Sequence, residues 1–258
     1  EFVLKSLEFR TNGMLSAENL ARVANVSTGA NLMEVDLKAI RDRIEKLAIV
    51  EEAIVNRELP DKLRVDVKER TPVAWISCPP RGIRPGDENR GFLIDGEGVI
   101  FRCLGVNKML EELPIIEAFR MDEPEEGGVL SAEGADSALQ LLASSVDLSG
   151  FEGMNIHSIH LRTEWSIECK YRNGINVTYA RHEVERGLKS LRSILARSTD
   201  FGAPLASINL AAKENIAVTF ANSPDPASIQ SFATPVKSEV QQPVDQKQKH
   251  LQSILKGG

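Results

Sequence analysis

The sequence has few aromatic side chains, few cysteines and no surplus of positive charge, and each shortage closes off a class of protein. Aromatic residues make up 5% of the 258, so the core must be built from Val, Ile, Leu and Ala rather than from packed rings. The formal net charge is −6. Nucleic-acid phosphates are bound by clustered positive charge, so this balance speaks against a nucleic-acid partner. Arg81, Arg84 and Arg90 do cluster, but Pro79, Pro80, Pro85 and glycines interrupt them, and the stretch reads as a solvated loop. Cys78, Cys103 and Cys169 include no Cys-x-x-Cys pair, which removes the common zinc and redox motifs. They leave either one disulfide with a spare thiol or three buried thiols acting as small hydrophobes. No apolar run reaches the roughly 20 residues that span a bilayer, and no signal peptide is read. The chain starts at Glu1-Phe2 in an already extended apolar pattern, so it is expected to be a piece of a longer protein whose upstream part could hold an anchor or a signal.

Catalytic motifs are also missing. Gly-x-Ser-x-Gly, a phosphate loop and His-Glu-x-x-His do not occur. His157 and His160 lie in a strand pattern, where residues three apart point to opposite faces and cannot easily share a metal. His182 and Glu183 open a helix as a solvated first turn. No catalytic, cofactor-binding or metal-binding residue is assigned, and no cofactor is expected. An enzyme built on the second half would have to lose its activity on changing His157, His160 or His182.

What the sequence does contain is alternation. From Leu59 to Ile76, Leu63, Val65 and Val67 alternate with Arg64, Asp66 and Lys68, the period-2 pattern of a half-buried strand. Pro60-Asp61 turns the chain before it, and Pro72 ends its pairing because proline donates no N–H. Val73–Ile76 then begins a new extended run. Upstream, Phe2–Arg10 reads as a strand with Leu7 and Phe9 on one face, followed by a turn at Thr11-Asn12-Gly13. Ser16 is placed to cap a helix with Leu20, Val23 and Ala24 on its apolar face, which Gly29 ends. Asp36 caps a second helix carrying Leu37, Ile40, Ile44 and Leu47. Val50–Arg57 is a strand with Ala53 and Val55 facing inward. The order is β-α-α-β-β, with the last two strands as antiparallel neighbours across a short turn, and two amphipathic helices covering one face of the sheet.

At these residues the chain resembles a known family. The run Val-x-x-Ala-x-Val-x-Arg-x-x-Pro-x-x-Leu-x-Val-x-Val-x-Glu-Arg-x-Pro-Val-Ala, read here from Val50 to Ala74, is similar to the POTRA domain of FtsQ/DivIB cell-division proteins. Asn31-Leu32, Val35-Asp36 and Ile40, Ile44 and Leu47 fit the second helix of that family. Thr11 departs from it, standing where glycine is common. Downstream, Leu93, Asp95, Gly98 and Phe101 match the family's Leu-x-Asp-x-x-Gly-x-x-Phe element. Asp95 is read as a turn residue rather than a calcium ligand or catalytic carboxylate, since only Glu97 is acidic nearby. Leu113–Ile116 resembles a Leu-Pro-x-Leu segment that packs under the sheet.

Met121–Gly128 is an acidic, glycine-rich loop, and Leu139, Leu142, Ala143 and Val146 mark a helix. Strands follow near Ile156–Leu161, Ser166–Tyr171 and Ile175–Tyr179, the last two joined at Arg172-Asn173-Gly174. Val184, Leu188, Leu191 and Leu195 mark another helix. Arg181 and Glu185-Arg186 resemble the family's lead-in, although Ala180 and Gly187 replace its glycine and leucine. Ala206–Phe220 forms a final hairpin around Lys213-Glu214-Asn215. It resembles the family's ending, with Asn209 for aspartate, Asn215 for glycine, Phe220 for tryptophan, and Ala211-Ala212 in place of Arg-Tyr. Beyond Ala221, prolines and Ser, Gln and Lys dominate, and disorder is expected to Gly258.

The fold class is therefore α+β: a POTRA domain over residues 1–71, a mixed domain with a mainly antiparallel sheet over 72–220, and a disordered tail over 221–258. A fold that ends on a strand leaves that strand at a sheet edge, open to β-augmentation. The resemblance implies the same place: a non-catalytic scaffold binding FtsB/FtsL-like partners at the last strand, through Ala212, Asn215, Ile216, Ala217, Val218, Thr219 and Phe220. It further implies recruitment by other divisome proteins through the POTRA domain. It implies an extracytoplasmic (periplasmic) position at the division septum, with a missing N-terminal anchor as the only, single-pass contact with the inner membrane. The alternative is a POTRA-bearing module that chaperones or assembles outer-membrane or secreted polypeptides. In either case Glu69–Pro72 is a connector too short to swing freely, and it is expected to fix one recruiting surface relative to the binding edge.

Overall fold

The structure is a computed structural model, and it describes residues 2–88, 90–148, 150–197, 203–213, 215–221 and 230–232. The first layer contains β1 (Ser6–Thr11), α1 (Ala17–Ala24), α2 (Leu37–Ile44), β2 (Val50–Glu58) and β3 (Lys62–Glu69). The sheet order is β1-β3-β2, with β1 parallel and β2 antiparallel to the central strand. Leu63, Val65 and Val67 are buried against Leu20, Ala24, Ile40 and Ile44 of the helices, which is what the alternation predicts. Ser16 and Asp36 cap the two helices, accepting from the Asn19 and Ala39 amides.

Two local expectations are corrected. The first strand begins at Ser6 rather than Phe2, because residues 2–4 pair elsewhere: Leu4 N donates to Ala30 O and Leu32 N to Phe2 O. The first helix ends at Ala24 rather than at Gly29. Asn25 takes a left-handed φ of 49° and its amide closes onto Ala21 O, a C-terminal stop that asparagine tolerates.

The second layer is one mixed sheet. Its elements are β4 (Pro72–Ser77), β5 (Phe92–Asp95), β6 (Ile100–Arg102), α3 (Lys108–Glu111), β7 (Ile115–Ala118), α4 (Ala135–Ser144), β8 (Ile156–Leu161), β9 (Ser166–Tyr171) and β10 (Asn176–Ala180). They continue with α5 (Val184–Ala196), β11 (Leu205–Leu210), β12 (Ile216–Phe220) and β13 (Gln230–Phe232). The ten strands run in the order β13-β12-β11-β10-β9-β8-β7-β4-β5-β6. Pairing is parallel at β4–β7, β7–β8 and β10–β11 and antiparallel elsewhere. The Leu113–Ile116 segment does not lie under the sheet. Ile115–Ala118 is a strand inside it, hydrogen-bonded on both sides.

Helices α4 and α5 cover one face, where Ala138, Leu141, Leu188 and Leu191 join Ile159, Ile167, Val177 and Ile208 in one apolar cluster. On the other face Trp75, Leu93 and Phe101 pack with Cys103 and Leu110, and the Trp75 indole N–H donates to Leu110 O at 2.7 Å. Cys78, Cys103 and Cys169 are all free and buried. Tyr171 and Tyr179 share a hydroxyl–hydroxyl bond of 2.6 Å inside the core. Gly187 makes room for this pair, since a Cβ there would lie 2.5 Å from the Tyr179 ring.

Candidate functional site

The seven residues predicted to bind a partner come together at the far end of the large sheet. β12 pairs antiparallel with β11, setting Phe220 opposite Leu205, Thr219 opposite Ser207, Val218 opposite Ile208 and Ala217 opposite Asn209. Ile216 and Val218 are buried in the helix-covered core. Ala217, Thr219 and Phe220 are half-buried, and the Thr219 hydroxyl meets that of Ser207 at 2.7 Å. Asn215 enters the strand with a left-handed φ of 58°, in keeping with its match to a family glycine.

The turn before β12 is held from α5. Arg186 donates to Ala212 O at 3.3 Å and to Leu210 O at 3.1 Å, and it also pairs with Glu183 at 2.6 Å. Lys213 reaches the other Glu183 oxygen at 3.0 Å. Hydrogen bonds from Lys213, then Arg186, hold the Glu183 carboxyl below the ordinary carboxylate range. The backbone of the candidate site is thereby fixed to the helix that packs beneath it.

β12 is not, however, the last strand of the sheet. β13 pairs antiparallel with it, with Phe232 opposite Ile216, Ser231 opposite Ala217 and Gln230 opposite Val218. The expectation of an edge left open at Phe220 is corrected here, and the signal lay in the sequence: Ala227–Thr234 is a proline-free island between Pro226 and Pro235. The remainder of the predicted disordered tail, apart from Ala221, lies outside the described residues.

The other end of the molecule carries the domain joint, built on two adjacent residues that sequence reading treated as a bare connector. Glu69 is buried, and its carboxylate accepts from Met14 N at 2.7 Å, Leu15 N at 2.9 Å and the Thr11 hydroxyl. Its own amide donates to Asn12 Oδ1 at 2.7 Å. Arg70 faces the other way, donating to Ala48 O at 3.1 Å and to Asp95 Oδ2 at 2.7 Å. Asp95 does act as a turn residue, since its other oxygen accepts from Glu97 N at 3.0 Å and Val99 N at 2.8 Å.

Among the described residues the histidines do not converge. His157 and His182 are exposed. His160 stands in a row with Ser158 and Glu117, its Nε2 3.0 Å from Ser158 Oγ and its Nδ1 3.2 Å from Glu117 Oε2. The spacing is that of a Ser-His-acid triad, but the row runs from β8 onto its neighbour β7, and β8 is hydrogen-bonded to β7 on one side and β9 on the other. Its backbone N–H groups belong to those ladders, whereas acyl transfer needs free donors aimed at an oxyanion. Among the described residues no three His, Cys, Asp or Glu side chains are grouped to hold a metal ion.

A small β-α-α-β-β layer followed by a larger mixed sheet defines a POTRA-led α+β protein. Residues 2–70 match the model of the POTRA domain, FtsQ-type, and residues 84–211 match that of the cell division protein FtsQ/DivIB, C-terminal region. The chain belongs to the FtsQ/DivIB family of cell-division proteins. It is 31% identical over 146 residues to the cell division protein FtsQ of Koribacter versatilis, covering 56% of this chain and 38% of that one. It is 26% identical over 141 residues to FtsQ of Syntrophotalea carbinolica, covering 55% and 46%. Against the cell division protein DivIB of Clostridium tetani the identity is 21% over 217 residues, covering 83% of this chain and 78% of that one. The chain spans about half the length of the first FtsQ relatives it matches. The C-terminal family match stops at residue 211, just before the candidate binding residues.

Proposed function

We propose that this chain is the extracytoplasmic part of a non-catalytic scaffold of the bacterial division machinery, and that it binds an FtsB/FtsL-like partner by strand addition at β12. The observation carrying this reading is the geometry of β12: its inner side is fixed to β11 and α5, and its outer side pairs with an antiparallel strand. Each backbone hydrogen bond gained there contributes about 0.5–1.5 kcal/mol net, and apolar burial near half-buried Phe220 adds to it. The POTRA layer, held by Arg70 at a fixed angle to that edge, presents a separate surface to other divisome proteins. An upstream anchor would place both at the septal face of the cytoplasmic membrane; among the described residues no helix is long and apolar enough to cross one. The FtsQ-type match over residues 2–70 and the FtsQ/DivIB match over 84–211 favour this reading over a polypeptide-assembly chaperone.

The test is binding of an FtsB-like peptide to the Phe220→Ala chain, followed by pull-down and fluorescence anisotropy. Affinity is expected to fall about tenfold, the equivalent of about 1.4 kcal/mol, with an unchanged circular dichroism spectrum. Undiminished binding would sink the strand-addition reading. Val218→Pro is a poor choice, because Val218 is fully buried and paired with Ile208.

A further inference from the structure

The outer side of β12 is occupied by the chain's own segment. Residues Gln230–Phe232 pair with Val218–Ile216, which are three of the residues assigned above to partner binding. We propose that this segment is an internal stand-in for the partner strand, which caps the edge and must be displaced before a partner in trans can pair there. The inference rests on the reading of β12 as the binding edge.

Three observations carry it. The pairing register spans three residues of a five-residue strand, so a longer incoming strand has more of β12 to pair with. Eight residues separate Ala221 from Gln230, and a tether of that length gives an effective concentration on the order of millimolar. A weak three-residue pair thus competes well against a dilute partner, yet yields to a better one. Finally, Ile216 and Val218 are both buried, and neighbours directly across antiparallel strands share a face. The edge therefore prefers apolar residues at both opposing positions. The chain's own segment supplies phenylalanine opposite Ile216 but glutamine opposite Val218, an imperfect match that a partner with two apolar residues would surpass.

The cap is tested on the full chain without any partner by oxidising A217C/S231C, positions directly opposite in register and within the range a disulfide spans. An intramolecular cross-link is expected; its absence overturns the cap. Competition is then read with a labelled peptide of residues 227–234 carrying valine in place of Gln230. Q230P/S231P, which breaks the segment's pairing, should bind this probe about tenfold tighter than the native chain, and Q230V, which improves the internal match, should bind it more weakly. Equal affinity across the three overturns the proposal. If an FtsB-like peptide fails on Q230P/S231P while the cross-link forms, the cap stands and the partner reading falls. If that peptide binds the native and proline-substituted chains equally and loses affinity with Phe220→Ala, the partner reading stands and the cap falls.

Discussion

Arg70 reaches across the boundary between the two sheets and donates to Asp95 at 2.7 Å, with side-chain exposures of 18% and 9%. Immediately before it, Glu69 accepts bonds from the turn that opens the first helix. Glu69 thus binds the first layer alone, and Arg70 bridges the two through Ala48 and Asp95. The POTRA layer is thereby tied to the first hairpin of the large sheet through Asp95.

Removing one member of the Arg70–Asp95 pair leaves a largely buried charge uncompensated. Arg70→Met is expected to lower stability by about 3–5 kcal/mol, measured by urea unfolding. Small-angle scattering should show a wider spread of inter-domain angles. The double change Arg70→Met with Asp95→Asn should be less damaging than Arg70→Met alone.

Glycine at position 13 is required by contact rather than by backbone conformation. A Cβ there would collide with the Glu69 carboxylate, so Gly13→Ala should cost about 1–3 kcal/mol by overpacking. Glu69→Gln, which removes one of two acceptor oxygens facing buried amides, should cost about 1–3 kcal/mol. Combined, the two losses should fall short of additivity because both disturb the same contact.

Tyr179 and Gly187 are likewise complementary. Gly187→Ala presses a methyl group into the Tyr179 ring, and a melting experiment should show a loss of about 1–3 kcal/mol. Pairing it with Tyr179→Leu should recover part of that loss. Any side chain at position 187 would meet that ring, since even a Cβ there lies 2.5 Å from it.

Alkaline pH should destabilise the protein through Cys169. Burial pushes its thiol from the usual 9.0 up to about 12, so the folded chain keeps a proton that the unfolded chain releases. The associated stability is complete below about pH 9 and is lost as pH rises toward 12. Urea midpoints measured from about pH 8 to about pH 11 should fall, and Cys169→Ala should flatten that decline. Glu183 acts with the opposite sign: its lowered value favours folding at neutral pH, a contribution lost as acid protonates the carboxyl.

Much of the fold could be read from period and caps alone. Leu63, Val65 and Val67 face one core because a half-buried strand repeats every two residues, and Ser16 and Asp36 announce helices because their oxygens satisfy free amides. The joint was less legible. Glu-Arg is visible as a motif, but Asp95 lies 25 residues beyond Arg70, and nothing local links them. Ile115–Ala118 is too short for periodicity to separate a central strand from a packed segment. The candidate residues Ile216–Phe220 were readable as a strand; the three-residue β13 lies in a proline-free island, but the prolines and polar residues on both sides of it give the whole stretch the composition of a tail.

Amide hydrogen exchange reads most directly whether β12 receives a partner strand. The full chain carrying Q230P/S231P is mixed with an FtsB-like peptide, and exchange is followed residue by residue. Slowed exchange is expected to concentrate in Ile216–Phe220, with the β1–β3 layer unchanged. Slowed exchange elsewhere with none at Ile216–Phe220 would contradict it.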